Sequence, residues 1–189
     1  MALDARGERT RNAILHAAMT VIAREGVAAA TQRAVAIVAG TSLASTTYHF
    51  GTRAEMLAAT MEYAGALAGE EIAHLSGEIR SGRLDPVQAC VDYIGRQRTR
   101  ESITGIVVFE LGVAAARLPR LRPANDRFVQ ALRDLFGPFT TTGSGQGLAE
   151  ALYGVLLVEL AREAPSSGLT DTVTTLFAAF GVQAPQETR

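Results

Sequence analysis

Eight consecutive residues, Ser42-Leu43-Ala44-Ser45-Thr46-Thr47-Tyr48-His49, carry four aliphatic hydroxyls, a phenol and an imidazole. Such short polar side chains are poor core material. They are good partners for phosphate oxygens and for the base edges exposed in a DNA groove. Catalysis is a weaker reading of the same residues. The three histidines (His16, His49, His74) are scattered, and none lies near Cys90, the single cysteine. The chain has no H-E-x-x-H, no nucleophile elbow and no P-loop. The glycine-rich run Gly143-Ser144-Gly145-Gln146-Gly147 follows no strand pattern, so it is not a nucleotide fingerprint. No metal-ligand spacing occurs. The expectation is a protein that binds rather than one that catalyses, without metal or cofactor.

A hydroxyl-rich segment can reach DNA only if neighbouring elements hold it outward, and the surrounding chain has the pattern to do so. Alanine, leucine, glutamate and arginine dominate, with no strand-length alternation, so an all-α fold of about nine helices is predicted. Ile14, Ala18, Val21 and Ile22 form an apolar stripe on a first helix over 7–25, stopped by Gly26. Thr31 caps a short second helix through Val38, whose buried side is read as Val35, Val38 and Ala39. Gly40 permits a tight turn, and Ser42 caps a third helix ending near His49. Three short helices with a glycine turn before the third are the pattern of a helix-turn-helix head.

Thr52 and Glu55 form a capping box for a long fourth helix reaching about Leu75. Asp85-Pro86 starts a fifth, to about Arg98. The sixth is expected over 102–117, the seventh over 124–136 and the eighth over 148–163. The ninth is expected over 170–180, with a flexible loop over 140–147 and frayed final residues.

All 18 basic residues are arginine, and the formal net charge is −1. Residues 1–53 hold six arginines and three acids, whereas the rest of the chain is acidic on balance. A basic head on an acidic body suits a DNA-contacting domain with a different partner for the remainder. There is no secretory h-region and no run of about 18 apolar residues, and a lone cysteine fits a reducing compartment. A cytoplasmic location is expected.

The ordered string from Arg11 to Leu57 resembles the DNA-binding domain of the TetR/AcrR family of transcriptional regulators. The matching residues include Arg11, Ile14, Leu15, Gly26, Thr31, Val35, Ala36, Gly40, Ser42, Tyr48, His49, Phe50, Arg53 and Leu57. The resemblance implies a helix-turn-helix DNA-binding domain over 1–53 and a ligand-binding and dimerisation domain over 54–189. It implies that Thr31, Gln32 and Arg33 anchor a phosphate at the start of the second helix. Ser42, Leu43, Ser45 and Thr46 would face base edges, and Tyr48, His49 and Arg53 the DNA backbone. Thr47 stands among them where many members carry tyrosine. Leu43, where lysine or arginine is common, either touches a thymine methyl or packs inward. Arg6, Arg9 and Arg11 read as a mobile basic arm, in contact with DNA or simply solvated. Tyr48 and His49 also admit a purely structural role.

In the body, Leu152, Val155, Leu156, Leu157, Val158 and Leu160 leave the eighth helix almost no polar face, so it must be covered on more than one side. Either it is internal to a monomer, or it pairs with its twin in a homodimer. For the dimer, a four-helix bundle would be built from Leu152, Val155 and Leu156 with Val173, Leu176, Phe177 and Phe180 of the ninth helix. The family resemblance further implies a pocket for a small, hydrophobic effector, with Met61, Tyr63, His74, Tyr93, Gln97, Phe109, Glu110 and Val113 as candidate lining. Glu110 reads as a polar anchor or as part of a wet face. The function expected is transcription regulation by a repressor that leaves a palindromic DNA operator when effector binds. A helical adaptor that has lost DNA binding is the other reading.

Overall fold

The computed structural model describes residues 5–99, 102–136, 139–140 and 145–182. Among these the regular elements are nine α-helices and two 3-10 turns. The helices are α1 (Ala5–Glu25), α2 (Gln32–Val38), α3 (Leu43–His49), α4 (Arg53–Arg80) and α5 (Pro86–Gln97). They continue with α6 (Thr104–Ala115), α7 (Arg122–Phe136), α8 (Gly145–Leu160) and α9 (Leu169–Ala179). The only extended pairing among the described residues is an isolated bridge between Thr140 and Val182. No helix of the described residues is long and apolar enough to cross a membrane.

Helix starts follow the capping residues. Thr31 accepts from the Ala34 N–H at 3.1 Å, Ser42 from Ser45 at 3.0 Å, Thr52 from Glu55 at 3.1 Å and Asp85 from Gln88 at 2.8 Å. Each such cap contributes about 1 kcal/mol by satisfying a donor that has no partner inside the helix. Between α2 and α3 the Thr41 N–H returns to the Ala36 carbonyl at 3.0 Å, and Gly40 takes φ 61°. A Cβ at Gly40 would meet nothing within 4 Å, so the backbone angle, and not crowding, calls for glycine there.

The chain divides into two compact units, one made of residues up to Ala66 with Ile106–Phe128, the other of Leu67–Gly105 with Val129 onward. In the first unit α1 packs against α2 and α3, and α2 against α3. The core here includes Ile14, Leu15, Met19, Ile22, Val35, Phe50, Met56 and Leu57, all buried. Gly65 of α4 lets Phe128 of α7 approach closely, since a Cβ there would lie 3.0 Å from the ring. In the second unit α9 packs against α5 and α8. Phe180 covers Gly147, where a Cβ would meet the ring at 2.7 Å.

The second unit also holds a buried ion pair. Arg98, just past α5, reaches the Glu159 carboxylate of α8 at 3.2 Å, and both side chains are nearly covered. The same guanidinium donates to the carbonyls of Glu159 and, at 3.1 Å, of Arg162. It thereby satisfies carbonyls at the end of α8, where a cation also suits the helix dipole. Glu159 additionally accepts from the Ser166 N–H at 3.1 Å.

Several sequence-based boundaries move. The α1 helix begins at Ala5, so Arg6, Arg9 and Arg11 are helical residues and not a mobile arm. Arg11 lies with its guanidinium 5.4 Å from the Phe50 ring centroid, a contact that holds it against the head. The α4 helix passes through Ser76 and Gly77 and ends only at Arg80. There Gly82 adopts φ 73° and the Arg83 N–H returns to the Glu78 carbonyl. The α8 helix starts at Gly145, so Gly145–Gly147 belong to a helix and not to the expected loop. Residues 141–144, and the final residues 183–189 expected to be frayed, lie outside the described residues.

Candidate nucleic-acid interface

The inward side of α3 is filled by Thr46, which is fully buried, and the head is closed by Phe50 just beyond it. The buried position corrects the expectation that Thr46 faces base edges. Its hydroxyl donates back to the Ser42 carbonyl at 3.3 Å, which satisfies it inside the head. The outward side carries Leu43, Ala44, Thr47 and Tyr48. These are one-turn neighbours, because residues four apart stack on one helix face. Leu43 is 41% exposed and Tyr48 72% exposed, so Leu43 does not pack inward and Tyr48 is not a core residue. Ser42 is exposed, and Ser45 and His49 are half-buried. The Tyr48 ring meets His49 edge-on at 5.3 Å between centroids.

On α2, Thr31 and Arg33 are exposed at the helix start. Gln32 is half-buried, and its amide donates to the Phe50 carbonyl at 2.5 Å. Arg53 is committed likewise: Nε donates to the Ala30 carbonyl at 2.9 Å, and a terminal nitrogen donates to the Val27 carbonyl. Both residues therefore clamp the head, Gln32 tying α2 to the end of α3 and Arg53 tying α4 to the turn at Val27–Ala29. A phosphate would have to share these donors with the backbone. The buried side of α2 is Val35 and Ala36, while Val38, expected inside, is 51% exposed.

The candidate effector residues fall in both units. Met61 and Phe109 are buried in the first, with Tyr63 half-buried and Val113 exposed. Glu110 is exposed, so it belongs to a wet face and not to a buried anchor. In the second unit His74 is exposed and Tyr93 half-buried. Burial and the nearby Glu71 carboxylate push the Tyr93 phenol pKa up, which keeps it neutral. Gln97 is buried and already engaged, donating to Glu71 at 3.1 Å and accepting from Ser102 at 2.8 Å. Burial pushes the Cys90 thiol to about 12, so it carries no reactive thiolate at neutral pH. Among the described residues no group of three or more His, Cys, Asp or Glu side chains could hold a metal.

The residues named for a dimer divide by face. Leu152, Leu156, Val173 and Phe177 are buried within their own unit, and Val155, Leu176 and Phe180 are half-buried. The four buried residues are covered within the single chain, whereas Val155, Leu176 and Phe180 keep part of their surface open to a second copy. The residues α8 turns to solvent are Glu150, Gly154, Leu157 and Val158, the last two 47% and 55% exposed. The reason is phase: Leu152, Leu156 and Glu159 recur at helical spacing, and Glu159 is held inward by Arg98.

Comparison with known proteins agrees with this arrangement. Residues 14–60 match the model of bacterial regulatory proteins of the tetR family. The fold is similar to a TetR-family member, SCO1917, from Streptomyces coelicolor A3, at 25% identity and TM-score 0.74, covering 88% of this chain and 97% of that one. It is also similar to the multidrug binding protein EbrR complexed with ethidium, at 26% identity and TM-score 0.71, over 88% of this chain and 98% of that one. A transcriptional regulator from Rhodococcus sp. Rha1 shares the fold at 20% identity and TM-score 0.71, over 90% and 95% of the two chains. No curated protein matches the chain in sequence. The helix-turn-helix head is thus similar in sequence to bacterial regulatory proteins of the tetR family, and most of the chain is similar in fold to a TetR-family member.

Proposed function

We propose that the chain is a cytoplasmic, homodimeric repressor that binds a palindromic operator through its two α3 helices and leaves it when a small, hydrophobic effector binds. Residues 1–53 then form the DNA-binding domain, and 54–189 the ligand-binding and dimerisation domain. The observation that carries this reading is the outward stripe of α3, held at the surface by an N-capped seven-residue helix on a closed core. The arginine surplus of residues 1–53 supports it, because phosphate neutralisation supplies most of the affinity for duplex DNA. One head reads few base pairs, so useful specificity requires two. The exposed apolar patch of Gly154, Leu157 and Val158 on α8 is the surface on which a second copy would pack, and contacts of α9 would extend it.

Release follows from linkage. An effector that favours a body conformation with misplaced heads lowers DNA affinity by the same factor that DNA lowers effector affinity. The start of α4 is the lever. Arg53 grips the Val27–Ala29 turn of the head, and Glu55 accepts from Arg120, between α6 and α7, at 3.0 Å. A shift of the α6–α7 connection is thereby felt at the first turn of α4. The EbrR complex with ethidium supports a body that takes a small organic molecule.

The test is a mobility-shift titration of the full-length protein against duplexes from the region upstream of its gene, with Arg33→Ala and Tyr48→Ala alongside. Both variants should bind more weakly, and Arg33→Ala should lower the salt slope by about one if it neutralises one phosphate. Equal binding by wild type and both variants would overturn the assignment of this surface to DNA.

A further inference from the structure

Both threonine hydroxyls of α3 are spent on α3 itself. Ser42 accepts from the Ser45 N–H, Thr46 donates to the Ser42 carbonyl, and Thr47 donates to the Leu43 carbonyl at 2.9 Å. A threonine hydroxyl bonded back to the preceding turn leaves its methyl as the free part of the side chain. The outward stripe thus offers DNA an isobutyl group from Leu43, a methyl from Ala44, a methyl from Thr47, and the Tyr48 ring. No arginine, lysine, asparagine, glutamine or acid occurs between Thr41 and Phe50. The side chains that read guanine or adenine by paired hydrogen bonds, or cytosine by accepting from its amino group, are therefore missing from this helix. An apolar surface in the major groove can distinguish one base feature directly, the 5-methyl group of thymine.

We propose that this chain selects its operator by apolar contact: Leu43, with Ala44 and the Thr47 methyl group, reads thymine methyl groups in each half-site. Arg33 and Tyr48 set the register on the backbone and carry no sequence information. The proposal rests on the DNA-binding reading above and specifies how that surface discriminates. Leu43 leaves much of its side chain open to solvent, while Thr46 fills the inward side of α3.

The experiment uses full-length protein to enrich duplexes from a random-sequence library, then resynthesises the best duplex with deoxyuridine for thymidine. That change deletes the methyl and keeps the hydrogen-bonding edge. Affinity should fall roughly fourfold for each contacted methyl. Leu43→Ala should weaken binding to the thymine duplex by a similar factor and shrink the preference for thymine over uracil by the share of the methyl that Leu43 contacts. Thr47→Val, which keeps a methyl and deletes the hydroxyl, should retain the wild-type ratio. Replacing guanine by 7-deazaguanine should change little. Equal wild-type affinity for thymine and uracil duplexes, or full discrimination by Leu43→Ala, would overturn the proposal while leaving DNA binding intact. Failure to enrich any sequence would overturn the DNA-binding reading as well. Unchanged circular dichroism melting of the variants excludes misfolding as the cause.

Discussion

Helices α3 and α8 are opposites in composition, yet each turns to solvent a face that its composition does not advertise. The hydroxyl-rich α3 folds its two threonine hydroxyls back onto its own turns and presents Leu43, Ala44, a threonine methyl and the Tyr48 ring. The apolar α8 buries Leu152 and Leu156 and presents Glu150, Gly154, Leu157 and Val158. In both, a few polar contacts choose the rotation of the helix. For α3 it is the Gln32 amide of α2, which donates to the Phe50 carbonyl at the helix end. For α8 it is Glu159, which Arg98 holds inward. A helix that is apolar on every side has no hydrophobic preference for its own phase, so one buried charge pair can set it.

The sharpest way to break this comparison is Glu159→Ala. It leaves the covered Arg98 guanidinium uncompensated and should cost about 3–5 kcal/mol in denaturant unfolding. Replacing both partners, Glu159→Leu with Arg98→Met, should cost clearly less than the single change. Equal losses would mean that the pair does not fix the phase.

Next in size is the contrast between the two faces of α8. Leu156→Ala should destabilise the fold by about 2–4 kcal/mol. Leu157→Glu combined with Val158→Glu should leave secondary structure intact and convert the proposed dimer to monomer in sedimentation velocity. The reverse pattern would exchange the inner and outer faces assigned here.

Arg53→Met tests the clamp beneath α3. It removes the donors to the Val27 and Ala30 carbonyls and should cost about 1.5–3 kcal/mol, because the bonds are charge-assisted. If Arg53 served only DNA, its loss would lower affinity without lowering stability.

The smallest effect lies at the end of α4. Arg83 hydrogen-bonds Glu78 and holds its carboxyl below the usual range. A depressed folded pKa gives stability that is present above the unfolded carboxylate pKa and lost as pH falls through the folded value. Glu78→Gln should therefore differ from wild type slightly at neutral pH and not at all in acid. The difference should shrink in high salt, since both groups are exposed.

The head was legible in the sequence because its signals are local. Thr31, Ser42 and Thr52 cap where their spacing predicts, and Gly26 and Gly40 turn where the apolar stripes end. Facing was less legible. Val38 continues the apolar pattern of α2 yet is half exposed, as is its neighbour Ile37 to a still greater degree. Thr46 looks like a donor to DNA, but burial and a bond to Ser42 claim it. Gln32 and Arg53 look like phosphate ligands, yet their carbonyl partners lie 18 to 26 residues away in sequence, a relation no local pattern reveals. The fourth helix, expected to reach about Leu75, continues to Arg80. Ser76 is buried, and the helix runs on to the left-handed Gly82. In α8, a largely apolar helix of 16 residues, the phase is set by a partner distant in sequence, Arg98 opposite Glu159.

Footprinting the full-length protein on its enriched duplex asks most directly whether the α3 stripe meets DNA twice per assembly. Two protected half-sites in inverted orientation are predicted, centred one helical turn, roughly 34–36 Å, or a multiple of it apart. Protection of a single asymmetric site would contradict a symmetric pair of outward-facing α3 helices.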